Sequence, residues 1–301
     1  MHVGITGASG LIGTALSQVL RERGDVVTPF VRPNSTTSTS ASVSWDPAKG
    51  YLNHEQLRAR GPLDAVIHLA GAGIGARRWN ARYKEEIVRS RVASTTLLMN
   101  ELATLDPLPF VVSASAIGFY GSRGDDVLTE SDSAGRDFLA DVCVAWEEAA
   151  SIYTRSGGSL AIARTGIVLD RRGGALARQL PLFRLGLGGR LASGAQWLSP
   201  IALIDEVRAL VWLLDQRRST TANLTCPVPI RNRDFTRLLA TSLKRPAAFA
   251  VPAPLLELAL GREMAGELLL ASQRVVPTAL EDSGFVFECP DASSILRRAL
   301  D

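Results

Sequence analysis

The sequence predicts an α/β fold, in which a doubly wound parallel sheet carries helices on both faces and a smaller C-terminal region covers it. Two observations support this prediction. Short apolar runs bounded by turn residues, which are typical of buried parallel strands, alternate with longer stretches of helical apolar spacing. The chain also has 301 residues, of which 46% are hydrophobic, so it can bury a large core.

The predicted elements alternate along the first half of the chain. Because each strand is followed by a helical stretch before the next strand, neighbouring strands are expected to run parallel. The predicted strands are His2–Thr6, Asp25–Val31, Ala65–Ala70, Phe110–Ser115 and Leu160–Leu169, and the predicted helices are Leu11–Arg23, Trp79–Leu105 and Phe138–Tyr153. Beyond residue 170 the alternation weakens, and helical spacing returns in the tail that begins at Pro252.

Composition argues against several classes of protein. Basic and acidic residues number 33 and 30 and are interspersed, so the sequence indicates no nucleic-acid surface. No apolar run approaches the roughly 20 residues that span a bilayer. The three cysteines are scattered and odd in number, which predicts a reduced, cytoplasmic protein without a disulfide framework. The three histidines are too isolated to indicate a metal site.

The segment GITGASGLIGTAL at 4–16 carries three glycines, Gly7, Gly10 and Gly13, between the first predicted strand and the first predicted helix. Glycine at such a turn lets the backbone approach a pyrophosphate, and the helix then offers its free N–H groups to the anion. The spacing GxxGxxG differs from the commoner GxGxxG. A tight turn with close helix packing would explain Gly13, but it would not explain all three glycines.

The second predicted strand ends in Arg32, with no acidic residue beside it. In this type of fold an acid at that place binds the ribose hydroxyl of NAD, whereas a basic residue accommodates the additional phosphate of NADP. A guanidinium suits a phosphate, so the sequence predicts NADP(H) as the cofactor. The alternative is a solvated arginine in a surface loop.

Several motifs together resemble the extended short-chain dehydrogenase/reductase superfamily, and within it the epimerase-like subfamily. They are TGASGLIG at 6–13, AVIHLAGAG at 65–73, VSASAIGFYG at 112–121 and the tail LLLASQRVVPTALEDSGFVFECP at 268–290. The resemblance runs nearly end to end. It implies an NADP-binding Rossmann domain at 1–170, with later strands returning to the same sheet near 220–226. Residues 171–301 would form a mixed substrate-binding region and the family tail.

The resemblance also implies a set of cofactor-binding residues. Arg32 would bind the additional phosphate, and Asp46 would reach the adenine. Glu86 and Arg91 either contact the cofactor or form a pair of charges on the helix surface. The phosphate loop would comprise Gly7, Ser9, Gly10, Leu11, Ile12 and Gly13, and the adenosine ribose would lie against Leu69, Ala70 and Gly71.

The catalytic pair that is usual in this superfamily is missing. Short-chain dehydrogenases use Tyr-x-x-x-Lys on one helical face, where the ammonium lowers the pKa of the phenol. The tyrosines are Tyr51, Tyr83, Tyr120 and Tyr153, and four residues after them stand Glu55, Ile87, Gly124 and Gly157. Ser115 matches the serine that the resemblance implies for substrate contact, and Tyr120 lies near the same strand end, so these two are the predicted catalytic residues; the alternative for Ser115 is a bond to local backbone. Cys143 and Glu147 are interpreted as a core residue and a solvated helix charge.

Two functional hypotheses follow. The first is an NADP(H)-dependent oxidoreductase or epimerase-like enzyme that acts on a small polar molecule. The second is a non-catalytic sensor or regulatory protein that binds NADP(H), which the missing pair favours. Neither hypothesis requires a nucleic acid, a membrane or a metal, and both allow a homodimer.

Overall fold

The computed structural model describes residues 1–33, 35–36 and 38–301. The strands of this described part are β1 His2–Thr6, β2 Val26–Val31, β3 Val43–Asp46, β4 Tyr51–Leu52, β5 Ala65–His68, β6 Phe110–Ala116, β7 Val127–Leu128, β8 Leu160–Thr165, β9 Ile167–Asp170, β10 Gly189–Leu191, β11 Trp197–Leu198, β12 Pro200–Ala202, β13 Thr220–Leu224, β14 Ile230–Arg231, β15 Phe249–Val251 and β16 Arg274–Val275. The helices are α1 Leu11–Glu22, α2 His54–Ala59, α3 Ala81–Leu102, α4 Phe138–Arg155, α5 Gly174–Arg184, α6 Leu203–Gln216, α7 Asn232–Ser242, α8 Ala253–Leu260, α9 Arg262–Ala265, α10 Thr278–Asp282 and α11 Ala292–Leu300.

The main sheet contains eight strands in the order β13-β8-β6-β5-β1-β2-β3-β4. All pairs are parallel except β3 with β4. The chain leaves the central strand β1 toward β2 on one side and later returns to β5 on the other. This reversal between β1 and β5 opens a crevice at the carboxyl ends of the two strands, where open α/β sheets bind ligands. The α/β, doubly wound prediction is confirmed.

Alternating residues of the central strands pack against helices on opposite faces of the sheet. Ile5 and Ile67 join a core with α1 and α6, whereas Val66 and Val111 join a second core with α3 and α4. Covering both faces explains why the middle of each of these strands is apolar, with polar residues such as Thr6, His68 and Ser115 toward the carboxyl ends. A third core unites β9, α5, α7 and α11 in the C-terminal half of the chain.

One predicted strand is wrong. The sequence predicts a continuous strand at Leu160–Leu169, but the structure divides it at Gly166 into β8 and β9. A Cβ atom on Gly166 would lie 2.4 Å from the carbonyl oxygen of Ser199, so the chain turns where only glycine fits. As a result, β8 remains in the main sheet while β9 pairs with β12.

The C-terminal half both completes the sheet and covers its edge. Strand β13 at 220–224 pairs with β8, so part of this half returns to the main sheet. Between α9 and β16 the chain forms a short π-helix, Gly266–Leu270, a form of helix that is rare and often found at functional sites.

In the described part of the chain, no helix has the length and apolarity needed to cross a membrane.

Candidate functional site

The glycine loop is folded so tightly that two of its positions exclude any side chain. Gly7 has φ +69°, and a Cβ atom on it would lie 2.8 Å from the carbonyl oxygen of Leu69. A Cβ atom on Gly13 would lie 2.2 Å from the carbonyl oxygen of Gly7. Helix α1 begins after Gly10, which offers no capping side chain to the first-turn N–H groups. The loop therefore brings an uncapped, electropositive helix end to the crevice.

A buried polar network fixes the strand ends beside this loop. The Thr6 hydroxyl lies 2.7 Å from Nδ1 of His68 and accepts hydrogen bonds from the backbone N–H groups of Leu69 and Ala70. On the other side of the ring, Nε2 lies 2.9 Å from the Thr95 hydroxyl. Burial lowers the pKa of His68 to about 3, so the imidazole is neutral. Sequence analysis gave His68 no role, although a histidine inside an apolar strand was the available signal.

A cavity of about 680 Å³ extends from the glycine loop into the C-terminal half of the chain. Its wall includes Gly7 and Gly10–Gly13, the N-terminal part of α4, the turn between β8 and β9, helices α5 and α7, and the π-helix. Among the described residues of this wall, only Arg91, Arg178 and Glu267 are charged. The loop predicted to hold a cofactor and the region predicted to cover a substrate thus share one space.

Arg91 and Glu86, both on α3, have different surroundings. Arg91 lines the cavity, and its Cζ lies 5.1 Å from the Trp146 ring centroid and 3.3 Å from where a Cβ on Gly71 would be. Burial lowers the pKa of Arg91, although Cys143 and Tyr83 act in the opposite direction. Glu86 instead lies 4.0 Å from Arg77 at the surface and is absent from the cavity wall. Arg91 therefore lines the cavity and Glu86 belongs to a surface pair, and a contact of either residue with the cofactor remains a prediction.

The other predicted cofactor contacts fall into two groups, since some line the cavity and others do not. Arg32 directly follows β2 and is exposed, as is Ser9 in the glycine loop. One carboxylate oxygen of Asp46 accepts a hydrogen bond from the N–H of Ala48 at 3.2 Å and thereby caps a turn. Leu11, Ile12 and Leu69 line the cavity itself. The roles of these residues remain predictions.

Ser115 and Tyr120, the predicted catalytic residues, are buried in a closed network. Ser115 is 3% exposed and donates to Glu147, whose carboxylate accepts two hydrogen bonds of 2.8 Å from Arg164. Tyr120 is fully buried, donates to Asn223 at 2.7 Å and accepts from Arg164 at 3.0 Å. Burial raises the pKa of Tyr120. Neither residue lines the cavity, so this geometry does not support a phenol or hydroxyl directed at a substrate.

The network also corrects the interpretation of Glu147. The sequence suggested a solvated helix charge, but its carboxylate pairs with Arg164, whose side chain is 7% exposed. An arginine in the apolar run LAIARTGIVL was the signal for this pair, because a buried guanidinium needs a counter-ion. Cys143, one helical turn before Glu147, does line the cavity. Burial raises the pKa of this thiol to about 12, which keeps it protonated.

A second buried carboxyl lies next to the cavity. Glu206 on α6 is fully buried, and its Oε1 accepts a hydrogen bond of 2.8 Å from Thr165, which lines the cavity. Its other oxygen has no hydrogen-bond partner in the described part of the chain. Burial raises the pKa of Glu206 to about 8, so it is largely protonated at neutral pH. Sequence analysis did not identify this residue.

In the described residues, no cluster of three or more His, Cys, Asp or Glu side chains could hold a metal ion. The cavity wall instead combines a tight glycine turn, one uncapped helix end and the half-buried guanidinium of Arg91. These are the elements that hold a phosphate-containing ligand.

The chain also matches known proteins along its length. Residues 3–139 match the model of the NAD dependent epimerase/dehydratase family, and residues 251–299 match a domain of unknown function, DUF1731. An epimerase family protein from Mycobacterium bovis is 41% identical over 286 residues, which cover 95% of this chain and 93% of that protein.

Two solved structures are similar as well. Human epimerase family protein SDR39U1, solved with NADPH, has a TM-score of 0.89 and 29% identity, and 99% of each chain is covered. The nucleoside-diphosphate sugar epimerase from Corynebacterium glutamicum has a TM-score of 0.80 and 34% identity, with 100% of this chain and 58% of that chain covered. From its glycine loop to its C-terminal tail, the chain belongs to the NAD dependent epimerase/dehydratase family.

Proposed function

We propose that this protein is an NADP(H)-dependent oxidoreductase that acts on a small molecule. The observation that carries the proposal is the single cavity of about 680 Å³ that joins the glycine loop to the C-terminal half. A dinucleotide bound at the loop would direct its nicotinamide into the same space that a substrate would occupy. The human relative solved with NADPH supports the choice of NADP(H).

The residues present fit this cofactor. Gly7 and Gly13 leave room for a pyrophosphate at the start of α1, and Arg91 supplies a half-buried positive charge beside Gly71. Arg32, exposed at the end of β2, would bind the additional phosphate on the adenosine ribose. When bound, the cofactor supplies or accepts a hydride at its nicotinamide ring.

The protein itself would position the substrate and exclude water. The side chains along α4 that face the cavity are apolar or weakly polar: Leu139, Val142, Cys143 and Trp146. Thr165 adds a hydroxyl to the wall. Ser115 and Tyr120 would hold the surrounding strands in place rather than exchange protons, because their hydroxyls already bond to buried partners.

A second function is a sensor that binds NADP(H) without turnover. One observation favours it, namely the closed network in which Glu147 and Arg164 engage both predicted catalytic hydroxyls. We prefer the oxidoreductase because a sensor would not need a cavity that extends from the cofactor loop into the C-terminal half. Oxidation of NADPH by ketones, followed by absorbance, separates the two.

The cofactor proposal is tested by titrating the protein with NADPH and NADH and following nucleotide fluorescence. We expect NADPH to bind at least tenfold more tightly, since a charge-assisted phosphate contact adds on the order of 1.5–3 kcal/mol. Arg32→Ser should remove that preference and leave NADH binding unchanged. Arg60→Ser, which changes an exposed arginine at the end of α2, is the matched control. Equal affinities for the two nucleotides in the unmodified protein would refute the choice of NADP(H).

A further inference from the structure

The part of the cavity wall that comes from residues 191–273, which we call the substrate wall, is mainly hydrophobic. Its apolar members come from separate elements, namely Leu191 of β10, Leu198 of β11, Phe235 of α7, and Leu268 and Leu269 of the π-helix. Several elements therefore converge to present hydrocarbon to the same space. A wall of this kind favours an apolar ligand, because burying apolar surface against it is stabilising at about 25 cal/mol per Å².

Glu267 is the only charged residue of the substrate wall within the described chain. Its two carboxylate oxygens accept hydrogen bonds from the N–H groups of Phe138 at 3.3 Å and Leu139 at 2.9 Å, so it caps α4. Both oxygens are thus engaged by the protein. A carboxylate at this position would repel a substrate that carries phosphate groups, and no cation on the substrate wall offsets it.

The uncharged polar groups of the substrate wall are also partly engaged. Gln273 donates from its amide nitrogen to the carbonyl of Ile117 at 3.1 Å. The amide oxygen of Asn232 accepts a hydrogen bond of 2.9 Å from the N–H of Leu191. What remains is one amide oxygen and one amide nitrogen, enough to orient a single carbonyl or hydroxyl group.

We propose that the substrate is an uncharged, largely apolar ketone or its alcohol, rather than a nucleotide-linked sugar. The inference rests on the proposed function in one respect, namely that the dinucleotide fills the part of the cavity beside the glycine loop. A nucleotide sugar carries a diphosphate, which needs several cations or N–H donors when it is removed from water. The cavity wall has two cations, and neither belongs to the substrate wall. Arg91 lies beside Gly71, and Arg178 donates to the carbonyl of Gly75.

This inference changes the substrate class expected from the sequence, which was a small polar molecule. It also differs from the name of the Corynebacterium glutamicum structure, a nucleoside-diphosphate sugar epimerase. The inference follows from the side chains of the substrate wall, because one fold accommodates unrelated substrates through its site residues.

The experiment is a binding titration observed by NMR, with the full chain saturated with NADP⁺ and, separately, with the chain alone. The probes are α-tetralone, cyclohexanone and UDP-glucose. We expect saturable binding of α-tetralone, weaker binding of cyclohexanone and no binding of UDP-glucose. Leu268→Gln should weaken α-tetralone binding about tenfold, since a lost apolar contact in a pocket has an effect of that order.

The matched control is Leu258→Gln, which makes the same change at a leucine of α8 that is 74% exposed and lies outside the cavity wall. It should leave the affinity unchanged. If Leu268→Gln impairs folding, as judged by circular dichroism, Leu191→Gln repeats the test from β10. UDP-glucose binding that competes with α-tetralone would overturn the inference, as would the failure of both ketones to bind.

Failure of the proposed function is distinguishable from failure of this inference. Loss of NADPH binding in the fluorescence titration would remove the cofactor proposal alone. In that case α-tetralone binding to the chain without nucleotide, and its sensitivity to Leu268→Gln, would still decide the substrate class.

Discussion

The glycine loop follows β1, whereas the closed network of Ser115, Tyr120, Glu147 and Arg164 joins β6 and β8 to α4, and the two regions depend on different chemistry. In the loop, backbone atoms make the decisive contacts, and Gly7 and Gly13 are required because a Cβ atom would overlap the main chain. In the network, side chains make the decisive contacts, with Glu147 and Arg164 joined by two hydrogen bonds of 2.8 Å. The first region faces the cavity, whereas Ser115 and Tyr120 in the second do not.

This contrast separates binding by the backbone from catalysis by side chains. A phosphate loop works through N–H groups and a helix end, so glycine spacing alone carries the information. Proton transfer requires particular side chains in reach of a substrate. On α4 this chain has the Cys143 thiol, which lines the cavity, and one helical turn later Glu147, which pairs with the buried Arg164. We therefore expect substitutions in the glycine loop to abolish nucleotide binding and substitutions in the network to lower the free energy of unfolding.

The largest expected effect is on nucleotide binding, from Gly13→Ala. The added Cβ would lie 2.2 Å from the carbonyl oxygen of Gly7, so the loop must move away from the helix. We expect NADPH affinity to fall at least a thousandfold, about 4 kcal/mol, because the pyrophosphate loses its aligned N–H donors. Fluorescence titration measures the loss, and circular dichroism tests whether the fold is retained.

The control for this variant is Gly73→Ala. The nearest atom to a Cβ at that position is the Cβ of Ala76, at the ordinary contact distance of 3.8 Å. NADPH affinity should change less than twofold. Tight nucleotide binding by Gly13→Ala would mean that the loop is not the phosphate site, and the comparison between the two regions would then lose its basis.

The next effect is on stability, from Glu147→Gln. The glutamine keeps the shape and a hydrogen-bonding oxygen, but it leaves the 7% exposed Arg164 without its counter-ion. Removing one member of a buried ion pair costs about 3–5 kcal/mol. We expect the free energy of unfolding in urea to fall by about 3 kcal/mol, whereas NADPH affinity stays within a factor of about two.

Two further variants sharpen that result. Glu148→Gln makes the same change at the next residue, whose side chain is 69% exposed, and should change stability by less than about 0.5 kcal/mol. The double variant Glu147→Leu with Arg164→Met should recover part of the lost stability, because apolar residues of similar volume can replace a buried pair. If Glu147→Gln instead abolished NADPH binding and kept full stability, the network would belong to the binding site.

The sequence predicted the architecture and the glycine loop because both depend on periodic or backbone-determined patterns. Apolar runs such as Ala65–His68 mark parallel strands covered on both faces. The break at Gly166 was missed because it depends on the distant carbonyl of Ser199, which no local pattern records. Long-range contact, rather than local preference, determined that turn.

The network was missed for a similar reason. Glu147 on α4, Arg164 on β8 and Asn223 on β13 come together only when the sheet has formed, with β8 lying between β6 and β13. The single local signal was an arginine in an apolar strand. Likewise, Glu206 and Thr165 are 41 residues apart, and their hydrogen bond follows from the packing of α6 beside the sheet. Side-chain networks of this kind require the tertiary structure.

The change that is smallest per measured step, because it is spread over several pH units, is expected at Glu206, whose partner Thr165 lines the cavity. Burial raises its pKa from 4.5 to about 8. Between these pH values the folded chain keeps a proton that the unfolded chain has lost, so the free energy of unfolding falls as pH rises. The fall approaches about 1.4 kcal/mol per pH unit for this group at most and ends above pH 8.

Glu206→Gln removes the titrating group while keeping an oxygen that can accept from Thr165. The difference in unfolding free energy between variant and parent should therefore move in favour of the variant from pH 5 to pH 8, as measured by urea unfolding at each pH. Exposed Glu148→Gln controls for a general effect of removing a negative charge and should show no such trend. A pH-independent difference for Glu206→Gln would mean that the buried carboxyl is already ionised in the folded protein, with its second oxygen satisfied by a ligand or ordered water. Thr165 would then lie beside a charged carboxylate that faces the cavity. In that case a buried side-chain group would take part in binding, and the contrast with the glycine loop would fail at this edge of the cavity.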